Sequence, residues 1–152
     1  MIPVEQRFSF DCMTACIASI FECSWEDAPL LCDPDTNEPV DQWLREMTLW
    51  MRAHGMNPWH FGIWGDEKPY LKFGSSEIRY VFRPPCYWLG GVKSSRYDGE
   101  HCVVMYADEV LWDPHPQREM GHLGFTTAEV IVPWQEVPLP ELGRRIKGAA
   151  AP

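Results

Sequence analysis

The sequence predicts an α+β fold in which N-terminal helices pack on an antiparallel β-sheet. Up to Gly55 apolar residues recur at three- and four-residue spacing, and beyond Gly55 the period shortens towards two, so helices come first and strands afterwards. Such segregation is the pattern of an α+β domain whose helices pack on an antiparallel sheet. At 152 residues the chain is one domain's worth, long enough to bury about two thirds of the surface it exposes unfolded. The expected organisation is a single domain over 1–140 and a flexible tail over 141–152, basic at first and then featureless.

The first helix runs from Cys12 to Phe21. Met13, Ile17, Ile20 and Phe21 keep helical offsets, Ala15 and Ala18 add propensity, and no Pro or Gly interrupts. Either Ser9 or Asp11 can cap it, which puts Cys12 in its first turn. Ser24 with Asp27 is a capping pair for a short second helix limited by Pro29. A third helix is marked by Val40, Trp43, Leu44, Met47, Trp50, Met51 and His54, and Gly55 ends it. Strands are expected at 58–64, 77–82, 86–92, 101–106, 110–113 and 129–134, with a polar loop at 91–100. The tryptophans at 43, 50, 59, 64, 88, 112 and 134 read as core.

Composition narrows the class of function. No apolar run approaches the roughly 18 residues of a membrane helix, and Met1-Ile2-Pro3-Val4-Glu5 has no basic region leading into an apolar stretch. The expectation is a soluble protein of the cytoplasm. With 22 acidic against 13 basic residues the formal net charge is −9, which repels phosphate backbones and disfavours nucleic acid as a partner. Six cysteines, at 12, 16, 23, 32, 86 and 102, read as free thiols in a reducing compartment. No pair of cysteines is separated by two residues, as zinc ribbons and redox dithiols require.

The chemistry gathers around Cys12. A thiol attacks a carbonyl as thiolate, and a helix start, with unpaired N–H groups and roughly half a positive charge, favours that form. Asp11 opposes it by like charge. His101 opens a strand just after a Gly-containing loop, and a hairpin around Ala107 sets Asp113 nearly opposite it, where a carboxylate can hold one imidazole tautomer. Gln6 stands six residues before the thiol, so its side-chain amide can join the Cys12 backbone N–H in binding an oxyanion.

Gln6, Asp11-Cys12, Cys16, His101-Cys102-Val103-Val104 and Asp113-Pro114 together resemble the bacteriocin-leader-processing branch of the papain-like cysteine peptidases. The resemblance implies a papain-like fold and the roles of oxyanion donor for Gln6, nucleophile for Cys12, base for His101 and orienter for Asp113. The chain is also similar over most of its length to small papain-like proteins of bacteria and phages that carry Asp-Cys-x-x-Ala-Cys and Asp-Pro-His-Pro segments. Met13-Thr14 departs from the glycine and small or cyclic residue of the leader peptidases. No transporter domain accompanies it in this sequence, so specificity for double-glycine leaders is not carried over.

The expected activity is thiol-mediated acyl transfer, most simply hydrolysis of a peptide, isopeptide or other amide bond in a peptide or protein substrate, without metal or organic cofactor. His115, Gln117 and Trp112 are candidates for lining the cleft. Each residue also has a plainer reading: Cys12 and Cys16 as small core hydrophobes, His101 as a loop hydrogen-bonder, Asp113 as the residue opening a turn, Gln6 as surface. Two other classes compete. One is an idle papain-like module that binds a peptide or protein, and the other is a zinc module built from Cys12, Cys16, His101 and Asp113.

Overall fold

A computed structural model describes residues 1–36, 38–62, 71–73, 76–78, 86–94, 99–107, 109–117 and 125–134. Helix α1 spans Cys12–Phe21, as its spacing predicts, and ends where Glu22 enters the left-handed region (φ 56°) and returns its N–H to the Ala18 carbonyl. Seven of its residues are buried, from Cys12 to Ser19. The expected second helix is a single 3₁₀ turn, Trp25–Asp27, with the Ser24 hydroxyl accepting the Asp27 N–H as a cap. Pro29 lies too close for a longer helix. Helix α2, Trp43–Ala53, begins later than Val40, because Val40 N–H is taken by the Leu31 carbonyl and Gln42 adopts a left-handed conformation. Gly55, at φ 74°, makes the turn out of it.

The strands are β1 (Met56–Gly62), β2 (Leu71–Phe73), β3 (Ser76–Ile78), β4 (Tyr87–Lys93), β5 (Glu100–Tyr106), β6 (Glu109–Trp112) and β7 (Phe125–Pro133). Five of them form one antiparallel sheet in the order β1-β7-β4-β5-β6, and β2 pairs with β3 separately. The expected polar loop is shorter than 91–100, since Gly91–Lys93 pair with Glu100–Cys102 as the ends of β4 and β5. Residues 63–64 and 79–82 of two expected strands, Trp64, Ser95 to Asp98 of the loop and the tail 141–152 lie outside the described residues.

Strand β5 reads as half-buried by alternation, yet residues 101–105 are all buried, because the middle of the sheet is covered on both faces. Cys102, Val104, Leu89 and Ile131 pack with Cys12, Cys16 and Ile17 of α1 and Met47 and Met51 of α2. Trp88, Val92, Val103, Met105 and Ala128 form a second cluster. Full burial of each Leu, Ile, Val or Met side chain among these contributes about 1.5–3 kcal/mol. Two tryptophans depart from the core expectation: Trp59 is 56% exposed and Trp134 39%. Trp59 lies on β1, at the sheet's edge, and Trp134 just past the end of β7, with the Arg52 guanidinium over its ring. None of the described helices is long and apolar enough to cross a membrane.

Candidate active site

The β5–β6 hairpin turns at Ala107, held in the left-handed region (φ 53°) with its N–H on the Cys86 carbonyl and its own carbonyl accepting the Trp88 indole N–H. The ladder runs from Tyr106–Glu109 to Val104–Trp112 with a bulge between. Beyond its end the His101 and Asp113 side chains meet, Nε2 to Oδ1 at 2.7 Å, and both are buried. The same Oδ1 accepts the His115 backbone N–H at 2.8 Å, which fixes the carboxylate in turn. A carboxylate at Nε2 holds the proton there and leaves Nδ1 as the basic nitrogen of the ring.

Cys12 reaches the same place from the start of α1. Past the last β5–β6 pair, the Cys102 backbone N–H donates to Cys12 Sγ at 3.3 Å, so the sulfur lies against the peptide that joins His101 to Cys102. Cys16, one turn along α1, points its thiol at the Cys102 carbonyl (3.4 Å), so two thiols straddle one residue of β5. Among the described residues no hydrogen bond links Sγ to the His101 ring.

The electrostatics differ from the expectation of a thiolate at a helix start. Burial pushes the Cys12 thiol well up from its ordinary range, with Cys102 and Asp11 adding to the rise, while the N–H groups of Cys102 and Met13 oppose it. The helix-terminal field is present, but loss of water outweighs it, since Cys12 retains only 7% of its exposure.

Gln6 is half-buried, and its backbone N–H donates to the Pro114 carbonyl (2.9 Å), which brings the segment before Cys12 next to Asp113. Its side-chain Nε2 donates to the Phe8 carbonyl at 3.0 Å, and its Oε1 is buried without a partner. An amide nitrogen has two N–H groups, so one is committed to the loop. Asp11 stands at the cap position of α1 but makes no side-chain cap. Its carboxylate turns back to the Arg7 and Phe8 N–H groups and the Trp25 indole.

Of the residues expected to line a cleft, His115 sets its ring edge-on to His101, centroids 6.4 Å apart, and its Nδ1 accepts the Gln117 N–H. Gln117 is exposed. Trp112 is half-buried and spends its indole N–H on the Val4 carbonyl, pinning the N-terminal segment over β6. Sequence reasoning assigned no role to the Cys102 N–H, whose availability depends on where β6 stops. It also passed over Trp25, although an indole four residues past the end of α1 is a donor in search of an acceptor. No group of three or more His, Cys, Asp or Glu among the described residues is arranged to hold a metal ion. Comparison with protein-family models, with curated proteins and with solved structures found no match for this chain.

Proposed function

We propose that the protein is a cysteine-dependent acyl-transfer enzyme of papain-like type, acting on a peptide, isopeptide or other amide bond. The observation that carries this reading is the buried His101–Asp113 pair at 2.7 Å with the Cys12 sulfur on the very next backbone N–H. Two helices packed on an antiparallel sheet, with the thiol at a helix start and the imidazole at a strand start, are compatible with a papain-like arrangement.

In the proposed cycle Nδ1 of His101 takes the Cys12 proton as substrate arrives, and the thiolate attacks the carbonyl carbon. Gln6 and the Cys12 backbone N–H hold the oxyanion. The C–N bond then breaks, the imidazolium protonates the leaving amine, and water or another nucleophile takes the acyl group from sulfur. Asp113 keeps the ring in the required tautomer throughout. Catalytic contacts of this kind commonly close only around substrate, which accommodates a resting thiol held by Cys102 and not yet by the ring.

The test is acylation by a small activated ester. p-Nitrophenyl acetate should release p-nitrophenolate and leave an acetyl group on Cys12, with the rate reduced at least ~100-fold in His101→Ala. An acetyl group spread over the six thiols, or a His101→Ala rate equal to wild type, overturns the reading. The burial of Cys12 and its raised thiol favour a second reading, an idle module that binds a peptide or protein. That reading expects no acetylation of wild type and peptide binding unchanged in Cys12→Ser.

A further inference from the structure

The residue just ahead of the thiol is held more tightly than a helix cap needs to be. Asp11 is completely buried. Its Oδ2 accepts the Arg7 N–H at 2.9 Å and the Trp25 indole N–H at 2.8 Å, and its Oδ1 accepts the Phe8 N–H at 3.1 Å. Trp25 is itself fixed, with Phe8 edge-on at 5.8 Å, the Arg7 guanidinium over its ring at 4.7 Å, and Arg7 in turn paired with Glu26. The far end of the segment is anchored by the Gln6 N–H on Pro114. An exposed carboxylate could cap α1 with no desolvation, whereas this one is taken out of water and met by three N–H donors, two of them from the backbone of residues 7 and 8.

Resting on the acyl-transfer reading, we propose that Asp11 is a positioning residue: its buried carboxylate ties the Gln6–Phe8 segment to the start of α1 and so sets the Gln6 amide beside the Cys12 backbone N–H. A group retained only to activate the thiol would not be an anion. The Asp11 charge opposes ionisation of Cys12, as does the neighbouring Cys102 on β5. Geometry and charge thus act in opposite directions at this residue, and that opposition makes its role measurable.

Asp11→Asn keeps the size of the side chain but presents an NH₂ group to N–H donors, and it removes the charge. Iodoacetamide consumes the thiolate by displacement at carbon and forms no oxyanion, whereas p-nitrophenyl acetate passes through one. In Asp11→Asn the acetylation of Cys12 should fall ~100-fold, the effect of losing one oxyanion donor, while its alkylation at neutral pH stays the same or rises. Trp25→Phe removes one donor and keeps an aromatic ring, and acetylation should fall ~5-fold with alkylation unchanged. Cys16 and Cys102, buried beside Cys12, report the fold and should stay unlabelled. Rates that fall together, or do not change, with Cys16 and Cys102 still protected overturn the positioning role. If those two thiols become reactive in Asp11→Asn, that variant has only loosened the fold, and the same split in Trp25→Phe decides. A wild-type acetylation rate indifferent to His101→Ala sinks the acyl-transfer reading and the role of Asp11 with it. A His101-dependent wild type with an unchanged Asp11→Asn sinks the positioning role alone.

Discussion

His60 and Glu129 form a second imidazole–carboxylate pair, and setting it beside His101–Asp113 shows what placement does to one chemistry. His60 Nδ1 lies 2.8 Å from Glu129 Oε1, but here the ring is 40% exposed while the carboxylate is buried with its Oε2 unpartnered. The hydrogen bond to Glu129 raises His60 above the ordinary histidine range, Glu100 adds to it, and partial burial works the other way. Because the folded value is raised, the pair's contribution is complete below the unfolded value of about 6.5 and is lost as pH climbs through the folded one. Urea midpoints measured from about pH 6 to about pH 9 should therefore decline in wild type and decline less in Glu129→Gln; equal slopes would refute this. At the same scale, the pairing of His101 with Asp113 was legible because a hairpin around Ala107 is a local event. The part played by Asp11 was not, since its acceptor atoms serve a turn behind it and an indole fourteen positions ahead.

Among the elements, β4 couples the sheet to the site through a glycine. Gly91 pairs with Cys102 on one side and Thr127 on the other, and a Cβ built on it would stand 2.0 Å from Thr127 Oγ1 and 3.2 Å from Thr126 Oγ1. Threonine in a strand has little freedom to withdraw. Gly91→Ala should cost about 1–3 kcal/mol in chemical denaturation, and pairing it with Thr127→Ala should recover much of that loss. Simple additivity of the two substitutions would show that the steric account is wrong. Helix α1 was legible to the residue because its spacing, its alanines and its freedom from Pro and Gly all agree. The reach of β4 was ambiguous, since 91–92 fall both in the expected strand 86–92 and in the expected loop 91–100, and only pairing with β5 carries the strand on to Lys93.

For the molecule as a whole, all six cysteines are free, and the stability comes from a core that two helices and the sheet close together. Dithiothreitol should leave the thermal midpoint unmoved, and a thiol count on unreduced, denatured protein should return six; a lower count or a reductant-sensitive midpoint would contradict it. By itself the sequence determined the order of helices before strands, the start of α1 at Cys12 and the hairpin that sets His101 near Asp113, because spacing and propensity act over a few neighbours. Only the tertiary structure decided that Cys12 is a buried thiol on the Cys102 N–H, that Asp11 faces inward, and that β5 is covered on both faces. Those outcomes depend on which distant groups exclude water and which backbone donors the ladders leave unpaired, and both are set only when the sheet closes.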